Sequence, residues 1–213
     1  MAEQIKNKIS SSVDSLLVMN RGSFQDQSSP WDKQQFQAAV VYTISPVHSL
    51  DHYLEVARRL VEMGADSLCI KDMAGLLAPV DAYHLIRRIK AAVKTPIHLH
   101  SHYTSGMASM ASLMAIVGGL DMLDTSISPL AGGTSHPATE TLVASLQDTP
   151  YDTGIDLTSF QPITEHFRTV RRKYRQFESD FTGVDAERHV AQCGEAAKAH
   201  GKTAQLEQHQ SLP

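Results

Sequence analysis

Residues 49–72 read "SLDHYLEVARRLVEMGADSLCIKD" and set the architecture of the chain. Apolar side chains recur in the first part at three- and four-residue steps, which is the stripe of an amphipathic helix. The members of this stripe are Leu50, Tyr53, Leu54, Ala57, Leu60 and Val61. Ser49 is suited to cap the helix start and Gly64 to end it. The "SLCIKD" that follows is a short apolar run bounded by polar residues, which is typical of a buried parallel strand.

The same pairing of a strand and a helix recurs four times along the chain. The predicted strands are "AVVYTI", "SLCIKD", "IHLHSH" and "DMLDTS". Between them, "APVDAYHLIRRIKAAV" places Pro79 in a first helical turn and aligns Tyr83, Ile86 and Ile89, and "MASMASLMAIVGG" ends on a glycine pair. The equivalent strand positions Tyr42, Ile70, Leu99 and Asp124 are 28, 29 and 25 residues apart. This spacing predicts an α/β fold with parallel strands and helical crossovers.

Two architectures fit this pattern, a doubly wound sheet and a (β/α) barrel of the TIM type. No Gly-x-Gly-x-x-Gly follows any of the strands, which weakens the dinucleotide-binding version of the doubly wound sheet. A complete barrel has eight units and about 250 residues. Four units therefore predict a half-barrel, followed by further helix over residues 156–178.

The two ends of the chain differ from this regular region in composition and in periodicity. Residues 1–38 are rich in Ser, Gln, Asn and Asp, lack a period, and are expected to be loose. Residues 193–213 are polar and are expected to form a helical or frayed tail. The N-terminus has no long apolar stretch after its lysines, so we expect neither a signal peptide nor an anchor.

Composition excludes several classes of function. The net charge of −4 offers no basic field for nucleic acid or an anionic membrane. The two cysteines, Cys69 and Cys193, form no disulfide framework, which favours a cytoplasmic setting. No apolar run approaches the roughly 20 residues needed to span a bilayer.

Polar residues follow the apolar body of every predicted strand. The pairs at these ends are Thr43 and Ser45, Lys71 and Asp72, His100 and His102, and Asp124 and Thr125. Reactive groups in parallel α/β sheets gather at the carboxyl ends of the strands. The contrast between apolar bodies and polar ends predicts a functional site there.

The stretch "IHLHSHYTSG" places three histidines at alternate positions. Residues two apart on a strand point the same way, so His100 and His102 share a face, with His98 deeper on it. Two neutral imidazoles at this spacing could chelate a divalent ion such as zinc. The pattern alone leaves open a simpler interpretation, in which the imidazoles are hydrogen-bonded groups of a polar interior.

Lys71 closes the apolar strand "SLCIKD". If it points into the site, burial would disfavour its ammonium form. A neutral amine can add carbon dioxide, and the carbamate so formed is an oxygen ligand for the same ion. The alternative is a solvated lysine paired with Asp72.

The stretch "ISPLAGGTSHPATE" follows the fourth strand. Gly132 and Gly133 would allow the backbone to approach a ligand closely, and Thr134 offers a hydroxyl. Pro137 would suit the first turn of the next helix. From the pattern alone, a Thr or Ser that merely caps this helix is the favoured interpretation.

Several of these motifs, taken in order, resemble the carboxyltransferase domain of biotin-dependent enzymes. They are "YTISPVHSLDHYLEVARRLVEMGADSLCIKDMAGLLAP", "LHSHYTSGMASM", "DTSISPLAGGTSHPATETLVASLQDTPYDTGIDL" and "RRKYRQFESDFTGVD". The oxaloacetate decarboxylase α subunit is the nearest relative expected, followed by pyruvate carboxylase and transcarboxylase. The resemblance implies that residues 39–192 are part of a TIM barrel.

The resemblance also implies a site. The implied metal ligands are a carbamylated Lys71, His100 and His102, with an aspartate as fourth ligand, and the ion would be zinc, manganese or cobalt. Thr134 would move a proton between biotin and the enolate. The implied activity is transfer of a carboxyl group between oxaloacetate and pyruvate through a biotin carried on another domain or chain.

The chain also departs from the family pattern. The family's Asp-Ala-His-Gln segment, which supplies the aspartate, and its biotin-bearing Ala-Met-Lys-Met segment do not occur here. A half-barrel would expose two strand edges, so we expect activity only with a complementing half-barrel or in a homodimer. One alternative is a truncated, non-catalytic remnant of the family. Another is an amidohydrolase-like metallohydrolase, although in those barrels the His-x-His pair precedes the lysine.

Overall fold

The computed structural model describes residues 19–20 and 36–178, which form one five-stranded sheet flanked by helices. The strands are β1 (Met19–Asn20), β2 (Gln37–Val41), β3 (Ser67–Asp72), β4 (Ile97–Ser101) and β5 (Met122–Leu123). The α-helices are α1 (Leu50–Glu62), α2 (Pro79–Ala92), α3 (Ala108–Val117), α4 (Thr139–Leu146) and α5 (Gln161–Lys173). Short 3₁₀ turns occupy Ser128–Leu130, Leu157–Phe160 and Arg175–Phe177.

The sheet runs in chain order from β1 to β5. Strands β2 to β5 are parallel, and only β1 pairs antiparallel, against β2. Because the strand order never reverses, right-handed crossovers place every connecting helix on the same face of the sheet. This is the arrangement of a partial barrel and not of a doubly wound sheet.

The core lies between this face and the helices. Its strand residues are Ala38, Val40, Leu68, Ile70, Ile97 and Leu99, and they pack against buried residues of α1, α2 and α3. The opposite face, called the inner face here, carries Lys71, His98 and His100 in the pairing register. In β4 the two faces differ sharply, since Ile97, Leu99 and Ser101 are buried while the two histidines between them are only half-buried. The buried apolar core therefore lies mainly on one side of the sheet.

Local signals in the sequence explain where the first two helices begin and end. The Ser49 hydroxyl accepts the amide N–H of His52 at 3.2 Å, and Gly64 follows the helix with φ +95°, as predicted. Pro79 is the first residue of α2, also as predicted. The strand predicted as "SLCIKD" is β3 without any shift of its ends.

Helix α3 packs on α2 through small residues. Ala108, Ala111 and Ala115 are buried, and the Gly118 position lies so close to the Tyr83 carbonyl that an added Cβ would be 2.9 Å from its oxygen. The other side of α3 exposes Met110, Leu113 and Val117. Helix α3 is therefore apolar on both its covered and its exposed side.

The structure differs from the sequence predictions in several places. The first strand, predicted as "AVVYTI", runs over Gln37–Val41 and ends before Tyr42. The fourth strand, predicted as "DMLDTS", pairs only over Met122–Leu123. Pro137 lies before α4, which begins at Thr139, and neither Thr134 nor Ser135 caps it, because the cap position is Ala138. The predicted helix over 156–178 is divided into α5 and two 3₁₀ turns.

The remaining regional predictions concern residues outside the described part. Within residues 1–38, the structure adds the short strand Met19–Asn20. Residues 1–18, 21–35 and 179–213 lie outside the described residues, and the boundary proposed at 192 lies with them. The boundary proposed at 38 stays a prediction, and β2 begins just before it, at Gln37. Every helix within the described residues is too short or too polar to serve as a membrane span.

Candidate metal centre

The predicted site residues lie at the carboxyl ends of β3 and β4. Lys71 is directly opposite His100 in the parallel register, so the two side chains leave neighbouring strands on the inner face. His102 follows two residues later, where its amide N–H donates to the Asp72 carbonyl at 3.0 Å. The structure thus brings Lys71, His100 and His102 to one edge of the sheet.

A third imidazole, His136, joins this pair from the loop before α4. One ring nitrogen each of His100, His102 and His136 lies within 4.8 Å of the others. The His136 ring centroid is 4.4 Å from that of His100 and 4.8 Å from that of His102. All three rings are half-buried. We call these three residues the imidazole cluster.

Each ring of the imidazole cluster is held by a hydrogen bond from its Nδ1 atom. His100 Nδ1 is 2.7 Å from Asp124 Oδ2, His102 Nδ1 is 2.6 Å from the Thr134 carbonyl, and His136 Nδ1 is 2.9 Å from the Ser101 carbonyl. Carbonyls and carboxylates only accept, so each Nδ1 carries a proton, and in the neutral ring the lone pair is on Nε2. Metal-binding histidines are oriented by the same kind of bond.

Asp124 links the imidazole cluster to His98. Its second oxygen, Oδ1, is 2.9 Å from His98 Nε2. The hydrogen bond to Asp124, together with one to Cys69, raises the pKa of His98 to about 10. The hydrogen bonds from His100 and His98 hold the pKa of Asp124 well below its usual range. His98 is therefore a cation at neutral pH and serves as a partner of Asp124, apart from the cluster itself.

Burial lowers the pKa of His136 below its ordinary value, with the neighbouring imidazoles of His100 and His102 acting in the same direction. A lower pKa favours the neutral ring, which is the form that binds metals.

Lys71 and Asp72 point to opposite faces of the sheet. Lys71 is half-buried on the inner face, and within the described residues no salt bridge holds its ammonium group. Asp72 is fully buried on the helix side. The Lys71–Asp72 pair considered from the sequence is therefore not formed.

Asp72 instead fixes the loop beside the site. Its two oxygens accept the amide N–H groups of Leu76 at 2.8 Å and Leu77 at 3.0 Å, and also the Ser101 hydroxyl at 2.9 Å. The same loop passes close to the imidazole cluster at Gly75, which has φ +65°. A Cβ added there would lie 2.6 Å from the His102 carbonyl oxygen. Only glycine fits both the conformation and the space.

Thr134 lies in the loop that follows β5. Its side chain is exposed, while its carbonyl holds His102. Gly132 and Gly133 both have positive φ, which turns the chain back toward β4. The Ser135 carbonyl then accepts the Tyr103 amide N–H at 2.8 Å. The sequence predicted this loop at the site, but it did not predict that the loop backbone orients a histidine.

Sequence reasoning missed His136 and the role of Asp124 as a bridge. His136 is adjacent to the predicted Thr134 and Ser135 in "GGTSHP", but a single histidine in a loop carries no periodic signal. The sequence places Asp124 at the end of a strand. Its contact with His100 could not be predicted, because it depends on how β5 pairs with β4.

The donor set of the imidazole cluster suits a divalent transition metal. Three nitrogens with free lone pairs, each on a ring whose other nitrogen is anchored, match the way zinc is held in catalytic sites. The half-buried Lys71 on the adjacent strand could add an oxygen donor if carbamylated. The residues present therefore fit the implied metal.

Fold and site together define a partial (β/α) barrel with an imidazole cluster at the carboxyl edge of its sheet. A family model described as HMGL-like matches residues 24–167. The chain belongs to the HMGL-like family.

Similar proteins include a pyruvate carboxylase subunit from Methanocaldococcus jannaschii, which is 50% identical over 150 residues, 70% of this chain and 26% of the relative. The methylmalonyl-CoA carboxyltransferase 5S subunit of Propionibacterium freudenreichii subsp. shermanii is 43% identical over 145 residues, 67% of this chain and 29% of the relative. The chain thus spans about a quarter of the length of these relatives.

A solved structure is also similar to this chain. The carboxyl transferase domain from Rhizobium etli pyruvate carboxylase with pyruvate and biocytin matches with a TM-score of 0.72 and 33% identity. The match covers 77% of this chain and 28% of that chain. The described fold is therefore part of a carboxyltransferase-type barrel.

Proposed function

We propose that this chain supplies the metal-binding half of a biotin-dependent carboxyltransferase acting between oxaloacetate and pyruvate. The observation that carries the proposal is the imidazole cluster, with every Nδ1 anchored, next to Lys71 at the carboxyl edge of a partial barrel. The relatives support the reaction class, since they are named as pyruvate carboxylase and carboxyltransferase subunits. Their names argue against the amidohydrolase-like alternative.

In this proposal Lys71, as a carbamate, and His100 and His102 hold a divalent ion. When bound, the ion supplies a Lewis acid that stabilises negative charge on the enolate oxygen of the substrate. The hydrogen bond from His100 to Asp124 keeps His100 in the tautomer that exposes Nε2. The backbone of Thr134 does the same for His102.

Thr134 has a second task, because its exposed hydroxyl is able to face a cofactor entering at the sheet edge. Biotin, when bound, would accept the carboxyl group of oxaloacetate at its ureido nitrogen as the bond from that group to the methylene carbon is broken. The Thr134 hydroxyl would take the proton released from that nitrogen and give its own proton to the enolate carbon, which would become the methyl group of pyruvate. The Thr134 hydroxyl thus gives away one proton for each proton that it takes up.

The proposed partners follow from the same reaction. A biotinyl domain on another segment or chain would carry the carboxyl group, and a complementing half-barrel or a second copy would cover the open edge at β5. We place the reaction in the cytoplasm.

The metal site is tested first, by elemental analysis of purified protein. We expect zinc, manganese or cobalt in the wild-type chain and a loss in the His100→Ala/His102→Ala double variant. The control is His166→Ala, which removes an exposed imidazole from α5. Equal metal content in all three proteins would rule out this site.

The reaction is tested by complementation. The chain is mixed with the barrel segment that precedes the matched region in the Methanocaldococcus jannaschii relative, and oxaloacetate decarboxylation is measured with and without free biotin. We expect biotin-dependent turnover only in the mixture, at least about 100-fold lower for Thr134→Ala and partly retained for Thr134→Ser, as for loss of a proton-transfer group.

Thr141→Ala, an exposed threonine on α4, is the matched control and should keep full turnover. A stable mixed complex that binds metal but gives no biotin-dependent turnover would contradict the reaction and favour the non-catalytic remnant.

A further inference from the structure

We propose that His136 is a third imidazole ligand of the metal, so that the described half of the barrel alone provides a three-histidine site. This inference rests on the metal of the proposed function and extends the ligand set, because the family resemblance implies only Lys71, His100, His102 and an aspartate.

His136 is anchored through Nδ1 in the same way as His102. Its Nδ1 donates to a backbone carbonyl, that of Ser101, so its Nε2 is the free nitrogen. Nitrogens around a tetrahedral zinc ion with bonds of about 2.05 Å are about 3.3 Å apart. The observed separations of up to 4.8 Å would close to that value with shifts of roughly an ångström per ring.

The segment that carries His136 is held at several points. The His136 carbonyl accepts the Gly132 amide N–H at 2.9 Å, and the neighbouring Pro137 carbonyl accepts the Ser126 amide N–H at 2.9 Å. Pro137 itself is buried. His136 is thus fixed by its own side chain and by the backbone on either side. Because its position is already fixed, the His136 side chain would lose little conformational entropy when it binds a metal.

The surroundings of the imidazole cluster favour binding of a metal ion over a role in which the three rings only form hydrogen bonds. Both oxygens of Asp124 are already used by His98 and His100, so this carboxylate does not complete the cluster. One ring nitrogen of each of the three imidazoles lies within 4.8 Å of the other two, and each Nδ1 already has an acceptor. A metal ion satisfies all three at once.

Zinc X-ray absorption of the loaded 213-residue chain gives the number of imidazole ligands directly, and titration calorimetry gives the affinity. We expect three imidazoles in the wild-type protein and two in His136→Ala and in His136→Gln. The glutamine keeps much of the volume and can still donate to the Ser101 carbonyl, so it separates ligation from support of the loop. Zinc affinity should fall at least about tenfold in both variants.

The control variant is again His166→Ala, which should keep three imidazoles and the wild-type affinity. Two imidazoles in the wild type, with affinity unchanged in both His136 variants but lost in His100→Ala/His102→Ala, would overturn this inference and leave the proposed function intact. Unchanged affinity in the His100→Ala/His102→Ala variant would instead overturn the proposed metal site itself.

Discussion

Asp124 divides its two carboxylate oxygens between two histidines with different roles. One oxygen fixes the tautomer of His100, and the other faces His98, which stays protonated. The positive charge of His98 offsets the carboxylate, so Asp124 can orient His100 without adding a full net negative charge to the site. A carboxylate behind a ligating histidine commonly raises the affinity for the metal.

Asp124→Asn is expected to lower zinc affinity by about 10- to 100-fold, because the amide cannot serve both histidines with the same acceptor strength. Titration calorimetry of wild type and variant measures the change. Asp51→Asn, an exposed carboxylate paired with Arg88 on the far side of the helices, serves as control. An affinity equal to wild type in Asp124→Asn would mean that Asp124 is not a positioning residue.

A second residue-scale prediction concerns Tyr53 on α1. Its hydroxyl donates to the Thr43 carbonyl at 2.7 Å and accepts the Thr43 amide N–H at 2.9 Å, which ties α1 to the end of β2. Burial raises the pKa of Tyr53 from 10.0 to about 12. Because the folded pKa is the higher one, this stabilisation is complete below pH 10 and is lost as the pH rises through 12.

Tyr53→Phe should therefore lower the free energy of unfolding by about 1–2 kcal/mol at neutral pH. The difference from wild type should shrink between pH 10 and 12. Urea unfolding across this pH range provides the measurement, with the exposed Tyr151→Phe as control. A difference that does not change with pH would contradict the assignment of the hydroxyl.

At the scale of elements, the loop between β3 and α2 limits where the backbone of His102 can lie. The buried Asp72 holds the loop through the amides of Leu76 and Leu77, and Gly75 lies against the His102 carbonyl. The sequence predicted both flanking elements, since β3 is an apolar run and α2 has an amphipathic stripe with Pro79 at its start. It did not predict the loop, because the reason for Gly75 is a contact with a residue 27 positions away.

Gly75→Ala is expected to cost about 2 kcal/mol or more and also to weaken zinc binding. It adds a clash with the His102 carbonyl to the strain of a positive φ. Gly154→Ala is a close match, with φ +66° and open space around its Cβ position. It should cost only about 1–2 kcal/mol and leave the metal affinity unchanged. Equal losses of metal affinity in the two variants would remove the link between this loop and the site.

At the scale of the whole molecule, the sequence predicted the parallel sheet and the helix order, because both depend on local periodicity. It also predicted which strand ends gather at the site. The approach of His136 to His100 could not be predicted from local pattern, since it requires the glycine turn at Gly132 and Gly133 to bring the chain back to β4. β5 is also shorter than the predicted strand "DMLDTS": its strand pairing with β4 ends at Leu123, and Ser126 pairs instead with Ala138.

Metal binding should stabilise the whole chain, because the imidazole cluster joins β4 to the loop after β5. At a free zinc concentration of about 100 times the dissociation constant, the folded state gains about 2.7 kcal/mol. For a domain of this size that is a rise in Tm of about 5–10 °C. Differential scanning calorimetry with and without zinc measures it, and calcium, which prefers oxygen ligands, is the control ion. A rise of equal size in His100→Ala/His102→Ala would place the stabilising metal elsewhere.

The one-sided core has a consequence for how such a protein can change over evolutionary time. Substitutions among the inward-pointing polar groups alter chemistry while the aliphatic layer beneath the helices goes on supporting the backbone. A lineage could therefore change the side chains of the inner face without first having to acquire a more robust scaffold.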